Sequence, residues 1–393
     1  FCSLHNELHA MTQAWLLPEY VEDILPPYSG QAETLRRRLL DLFDGYGYEQ
    51  VSPPLVEYLD SLLTGAARDL DLKTFKVVDA LSGRLLGVRA DMTPQVARID
   101  AHLINHEGAT RLCYAGPVLR TRPAGLACRE PLQIGAELFG HAGIEADLEI
   151  QELLLAALDR VGVPDARLSL GHAGLFRALA EGAGLDEEHA AALFAALRGK
   201  DVPEVQALCA GLVAPWRQAF NELPGLYGGA ETLRRAREVL PDQPAIRQAL
   251  DQLERLLTAG NAQGLASVAV DLSDLRGDGY HNGAMFAAYA GGQARAVALG
   301  GRYDGAGSVF GRNRPATGFS LDLRQILGCL GEPAGRDAIL APFADDAELR
   351  ARIAELRAAG ERVVVELPGQ EGHRAESGCA RHLVKTGQGW VVQ

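Results

Sequence analysis

Between Leu275 and Gly305 the chain reads LRGDGYHNGAMFAAYAGGQARAVALGGRYDG. An Arg-Gly turn opens the stretch, two short apolar runs follow, and a second turn, Gly-Gly-Arg-Tyr-Asp-Gly, closes it. Short apolar runs bounded by glycine predict two strands lying between turns. Charged and aromatic side chains crowd both ends: Arg276, Tyr280 and His281 before the strands, Tyr303 after them. A guanidinium in such a turn is either a surface group or a fork for a carboxylate.

Working outward, ASVAVDLSDL before this stretch reads as a strand, and GFSLDLRQILGCL after it as a strand followed by a helix. Towards the N-terminus, QAETLRRRLLDLFDGYGY places Leu35, Leu39, Leu40, Leu42 and Phe43 at helical spacing and stops at Gly45 and Gly47. EQVSPPLVEY and TFKVVDALSGRLLGVR are extended, with a hairpin turn at Ser82-Gly83. DMTPQVARIDAHLIN reads as a helix with Pro94 near its first turn. TRLCYAGPVLRTRP and PLQIGAELFG follow as two strands, and ADLEIQELLLAALDRVG as an amphipathic helix. Consecutive strands joined by turns rather than helices predict an α+β fold on an antiparallel sheet.

Five segments result. Residues 1–10 (FCSLHNELHA) have neither a basic start nor an apolar core, and are set aside as upstream sequence. Residues 11–170 form the first part of a core and 265–330 its second part. Between them, 171–264 are Ala- and Leu-rich and read as a helical insertion. Residues 331–393 form a small C-terminal α/β unit: DAILAPF (strand), DDAELRARIAELRAAG (helix), ERVVVELPG (strand) and a closing GWVVQ.

At 393 residues the chain exceeds one ordinary core. No apolar run approaches the ~20 residues of a membrane span, so no membrane association is expected. Lys plus Arg number 38 against 51 Asp plus Glu, a formal charge of −13, which disfavours broad nucleic-acid binding. The six cysteines are scattered, with no CxxC pair and no His at ligand spacing. That argues against a zinc site or a disulfide framework and fits a cytoplasmic protein. No Gly-rich phosphate loop of the GxxxxGK[ST] type and no Ser/Cys-His nucleophile motif occurs. No catalytic residue, metal or cofactor is therefore assigned.

Four segments, in order across roughly residues 15 to 330, resemble the class II histidyl-tRNA synthetase core. EQVSPPLVEY is similar to its dimer-forming first motif, VRADMTPQVAR to its Arg-Pro-Glu-Gly-Thr segment, and CYAGPVLRTRPAGLACREPLQIGAELFG to its second motif. The opening stretch with GFSLDLRQIL is similar to the histidine-specific segment and the third motif. GPVLRTRP, QIGAELFG and GFSLDLR more closely resemble the synthetase-like regulatory subunits of ATP phosphoribosyltransferase.

The resemblance implies a pocket for L-histidine. Arg276 is placed to meet the ligand's carboxylate, and Asp91 and Thr93 its α-amino group, although either also suits a helix cap before Pro94. Tyr280 and His281 would present a ring and a hydrogen-bonding tip to the imidazole. Gln133 and Glu137 are four apart in a strand, so both face one side, while Ile134 and Ala136 mark the opposite, core-facing side. Glu137 would take an imidazole N–H and Tyr303 supply a hydroxyl.

The ATP half departs from the family. Arg120 falls on the arginine that grips the α-phosphate, but Arg122 stands where an acid is expected, and the third motif ends Arg324-Gln325 rather than Glu-Arg. A one-residue shift on a helix rotates a side chain by ~100°, so Arg324 does not replace the arginine lost at Gln325. The tail from Ala338 to Gln393 carries seven Lys/Arg against eight Asp/Glu, without a basic tRNA footprint.

These features imply a non-catalytic regulatory subunit. Its expected partners are the short-form ATP phosphoribosyltransferase catalytic subunit, a second copy of itself and L-histidine, without tRNA. It would serve the first step of histidine biosynthesis and its feedback control. A divergent histidyl-tRNA synthetase, or a ligase that kept adenylation and dropped tRNA, are the alternatives.

Overall fold

In a computed structural model the described residues are 16–393, apart from 65–67, 124–126, 164, 276–279, 306, 334–336 and 388. The chain divides into two compact units, Phe1–Gly331 and Glu332–Gln393.

Among the described residues the first unit contributes twelve strands: β1 (Glu49–Gln50), β2 (Val56–Tyr58), β3 (Phe75–Val78), β4 (Leu85–Val88), β5 (Thr110–Pro117), β6 (Leu132–Phe139), β7 (Arg167–His172), β8 (Tyr227–Gly228), β9 (Ser267–Asp271), β10 (Ala284–Tyr289), β11 (Ala296–Arg302) and β12 (Ala316–Asp322). Nine form one sheet in the order β1-β5-β6-β12-β11-β10-β7-β9-β8. Its centre, from β5 to β7, is antiparallel throughout, and the pairs β1–β5 and β7–β9 are parallel. The α+β architecture is the one read from the sequence.

The alternation of side chains along β5 and β6 separates two apolar layers. Cys113, Ile134, Ala136 and Leu138 face the large core with Leu35, Leu39 and Phe43 of helix Tyr28–Gly45 and Ile150, Leu154 and Leu158 of helix Ile144–Val161. Leu112, Tyr114 and Phe139 face the other side, where they meet Met92, Val96 and Tyr303. Helix Ile144–Val161 has Glu145 and Asp147 in its first turn and Arg160 in its last, all favourable to its dipole, and Gly162 ends it at φ +74°.

Two expectations need correction. Gly300, Gly301 and Arg302 are not a turn; they belong to β11 and pair with Phe319, Gly318 and Thr317 of β12. That pairing satisfies their backbone groups, so the glycines serve close strand approach instead of reversal. The 171–264 block is not purely helical: β7 runs on to His172, and β8 pairs antiparallel with β9 at the sheet edge. Its helices Ala173–Gly182 and Pro244–Gln263 add Leu175, Leu179, Leu250 and Leu253 to the large core.

A smaller sheet, β2-β4-β3, carries the extended segment around Pro53. Buried Arg89 ties that segment down, donating from Nη1 to Pro53 O at 2.6 Å and from Nε to Pro117 O at 2.9 Å. Glu57 accepts from Gln95 Nε2 at 2.9 Å and pairs with Arg98 at 2.6 Å. The short helix Thr93–Arg98, with Pro94 in its first turn as expected, is thereby fixed beside β6.

The second unit has strands β13 (Ile339–Ala341), β14 (Val363–Val365), β15 (Arg381–Thr386) and β16 (Gly389–Val392), ordered β14-β13-β15-β16, with helix Ala347–Ala358. β13 and β14 are parallel, as a βαβ unit requires. β15 was not anticipated: of RHLVKT only Leu383 is buried, so the segment lacks an apolar signal.

Candidate functional site

A cavity of about 480 Å³ lies on the β6–β12–β11 face of the main sheet. Asp91, Thr93, Gln133, Glu137, Tyr280, His281 and Tyr303 all line it, and so do Arg120 and Gln325. Arg276 lies outside the described residues. The sequence segments that carry these side chains span more than two hundred residues, and the sheet register brings them together.

Glu137 is the centre of the inner end. It is 1% exposed, and its carboxylate accepts three hydroxyls: Tyr303 at 2.6 Å, Tyr114 at 2.9 Å and Thr93 at 3.0 Å. Thr93 and Tyr114 also lie 3.0 Å apart, closing the ring of contacts. Burial pushes the Glu137 carboxyl up to about 8, against the pull of the hydroxyls. Burial likewise holds Tyr114, Tyr280 and Tyr303 well above the ordinary phenol value, so all three remain protonated donors.

Two glycines make this packing feasible. Gly135 faces Tyr114 across the β5–β6 ladder, and a Cβ there would stand 2.5 Å from the phenol oxygen. Gly318 faces Glu137 across the β6–β12 ladder, where a Cβ would collide with the carboxylate itself. Small residues in QIGAELF and ATGFSLD thus leave the volume that the polar groups occupy.

Tyr303 does not offer its hydroxyl to the cavity; the group is already donated to Glu137. Its ring stacks on Tyr280 at 5.1 Å and 19°, and Tyr280 meets His281 edge-on at 5.3 Å and 88°. The Tyr280 hydroxyl is buried without a hydrogen-bond partner among the described residues. Such a group costs free energy unless a bound molecule satisfies it.

The structure gives Asp91 the helix-end contact. Its Oδ1 accepts the Thr93 backbone N–H at 2.9 Å, an end-of-helix contact, and also Gln133 Nε2 at 2.9 Å. Gln133 Oε1 in turn accepts the Met92 N–H at 2.9 Å. The amide is therefore occupied in fixing the loop and orienting Asp91.

The outer end is built differently. Arg120 reaches Ala90 O through Nε at 3.3 Å and lines the cavity beside Gln325. Arg324 points elsewhere: it donates to Glu22 O at 3.2 Å and pairs with Glu130 at 3.5 Å. Asp322 caps the helix Leu323–Cys329 by accepting the Arg324 N–H at 3.0 Å, and burial pushes its carboxyl up.

Sequence reading missed several groups. Tyr114 was seen only as a strand residue, since its link to Glu137 depends on cross-strand register. Lys73, Arg198 and Arg295 also line the cavity. Arg198 ends helix Glu187–Arg198, so the helical block contributes to the wall. Arg302 was read as part of a turn, yet it is buried and pairs with Asp147 at 2.9 Å beneath β11. A buried arginine next to Tyr303 is readable only once Asp147 is known to face it. Among the described residues no cluster has metal-binding composition, and no helix is long and apolar enough to cross a membrane.

Residues 20–326 match the histidyl-tRNA synthetase family, and residues 336–393 match the C-terminal domain of the ATP phosphoribosyltransferase subunit HisZ. An ATP phosphoribosyltransferase regulatory subunit of Ralstonia nicotianae is 57% identical over 380 residues, 96% of this chain and 98% of the relative. One of Cupriavidus taiwanensis is 56% identical over 383 residues, covering 97% and 99%. Among solved structures, an ATP phosphoribosyltransferase regulatory subunit/histidyl-tRNA synthetase from Bacillus halodurans superposes with a TM-score of 0.84 at 26% identity, covering 94% of this chain and 97% of its own. Histidyl-tRNA synthetase from Nostoc shares the fold, with a TM-score of 0.77 at 17% identity over 94% of this chain and 91% of its own. With a synthetase-like core, a HisZ-type tail and near full-length relatives of one kind, the chain belongs to the family of ATP phosphoribosyltransferase regulatory subunits.

Proposed function

We propose that this regulatory subunit binds L-histidine in the cavity around Glu137 and passes that signal to the catalytic subunit of ATP phosphoribosyltransferase. One observation carries the reading. The inner end of the cavity holds a buried carboxyl, stacked aromatic rings and an unsatisfied Tyr280 hydroxyl, whereas at the outer end Gln325 faces the cavity and Arg324 is diverted to Glu22 and Glu130. Such a site suits recognition of a small polar molecule. With Arg324 turned away and Gln325 in the wall, the motif pair that would clamp transferring phosphates is broken.

Asp91 offers a carboxylate to the ligand's ammonium, Glu137 an acceptor to an imidazole N–H, and Arg276 a fork for the ligand carboxylate. Adenylation is absent on this reading, and tRNA is not a partner. The first-motif segment forms a two-fold dimer: Leu55, Val56 and Tyr58 are 47%, 45% and 39% exposed, an apolar strip that suits an isologous contact. A dimer presents two copies of any partner-binding face to the catalytic subunit. If histidine favours one arrangement of that complex, feedback follows by linkage, with a coupling of ~1–3 kcal/mol.

The test is co-expression with the short catalytic subunit of the same organism, followed by histidine titration. Co-elution as one species, phosphoribosyl transfer above that of either protein alone, and histidine inhibition weakened by Glu137→Ala are expected. Separate elution, or inhibition untouched by that change, discards the reading.

A further inference from the structure

A second cavity, of about 260 Å³, opens between helices Ala173–Gly182 and Pro244–Gln263 and the residues just before β10, and it shares no lining residue with the first. Judged by the ~30 Å³ share of a water molecule, it holds about nine heavy atoms. His172, the last residue of β7, forms part of its floor and is 9% exposed. The ring Nε2 lies 2.8 Å from Gln252 Oε1. An amide oxygen only accepts, so Nε2 carries the ring proton and Nδ1 presents a lone pair. Nδ1 is buried and has no hydrogen-bond partner among the described residues. Burial also pushes the imidazole's pKa down, which keeps the ring neutral and Nδ1 an acceptor.

Arg177 and Glu181 stand at the mouth, both exposed, one helical turn apart on the same helix. At this spacing opposite charges commonly pair, yet here neither has an ion-pair partner among the described residues. Gln248 and Gln252 add amides to the opposite wall. Arg302 closes the floor but is fully engaged with Asp147, Asp304 and two carbonyls, so it is not available to a ligand.

We propose that this cleft binds a polar α-amino acid as a zwitterion, with its carboxylate on Arg177, its ammonium on Glu181 and a side-chain N–H or O–H on His172 Nδ1. The site supplies one cation, one anion and one acceptor in a space of matching size, and the ligand completes all three. It is independent of the histidine reading of the first cavity.

The experiment is ligand-observed NMR on the full chain with L-serine, L-asparagine and L-glutamine at millimolar concentrations, and L-alanine for comparison. At least one polar amino acid binds, more tightly than alanine. Arg177→Ala and Glu181→Gln each weaken it about tenfold, as loss of a charged hydrogen-bonding partner should. Both side chains are exposed, so neither change threatens the fold. Gly174→Ala is a second probe, since its Cβ would come 3.1 Å from Nδ1 and displace the ring. Glu137→Gln, in the first cavity, leaves this binding in place. Absence of binding by every amino acid, binding unchanged in Arg177→Ala, or binding lost only in Glu137→Gln would each overturn the assignment.

Discussion

The two ends of the main cavity are built differently. At the inner end every polar atom of Glu137 is engaged, and the glycines at 135 and 318 preserve the space that makes those contacts possible. At the outer end Gln325 stands in the wall beside Arg120, where the third motif would hold an arginine, and the neighbouring Arg324 is turned away to Glu130. Recognition needs a pre-formed pocket with a few placed polar groups; phosphoryl chemistry needs several charges held at developing negative oxygens. Losing one such charge removes chemistry while costing the fold little, so the second can decay while the first persists.

The largest effect concerns the outer end. Histidine-dependent ATP–pyrophosphate exchange is expected at background. Gln325→Arg alone leaves it ~10²–10³-fold below a synthetase, because each missing transition-state contact costs ~10²–10³ and Arg122 still occupies the place of an acid. Exchange at synthetase-like rates in either protein would erase the contrast between the two ends.

The inner end is tested by removing its acceptor. Glu137→Ala leaves the hydroxyls of Thr93, Tyr114 and Tyr303 without their carboxylate in a buried site. With ~1–3 kcal/mol per unsatisfied group, partly relieved by the mutual Thr93–Tyr114 contact, a loss of about 2–5 kcal/mol is expected in denaturant unfolding. A loss under ~1 kcal/mol would mean that the network is not built around Glu137.

How much of this was legible before the fold was known varies with the range of the signal. Strand alternation placed Gln133 and Glu137 opposite Ile134 and Ala136, because that pattern is local. The hairpin at Ser82-Gly83 and the helix start at Pro94 were local as well. Tyr114 and Arg302 were not legible as polar partners, since Glu137 lies 23 residues from one and Asp147 155 residues from the other. β15 escaped because its single buried side chain leaves no periodic trace. The ATP half was readable from motif positions alone, but where Arg324 goes instead depends on Glu22 and Glu130, hundreds of residues away in sequence.

Proton linkage gives a smaller, more specific signature. Glu137 is held at about 8 in the fold, against 4.5 as its unperturbed value. Between those values the folded state carries a proton that the unfolded state lacks. The stability contribution is therefore full below about 4.5, falls by on the order of 1 kcal/mol per pH unit as pH rises towards 8, and is flat beyond. Glu137→Gln should lack this slope, so its unfolding free energy relative to wild type rises with pH across the window. A ligand group that donates to the carboxylate favours its ionised form, so histidine binding near pH 7 should release a proton. Calorimetry in buffers of different ionisation enthalpy measures that release; none at all would place the ligand away from Glu137.

The smallest expected effect separates recognition from stability most cleanly. Tyr280 packs its ring between Tyr303 and His281 while its buried hydroxyl has no partner among the described residues. Tyr280→Phe keeps the ring and deletes a group that is unsatisfied in the free protein. Stability should therefore be unchanged or rise by up to ~1 kcal/mol, the reverse of a typical buried tyrosine that loses a made hydrogen bond. If histidine supplies the missing partner, its affinity should fall by about three- to tenfold in the same variant, matching one hydrogen bond of ~0.5–1.5 kcal/mol. Thermal unfolding with and without histidine measures both quantities on one sample. A destabilised variant with unaltered affinity would assign the hydroxyl to the fold and remove it from the pocket.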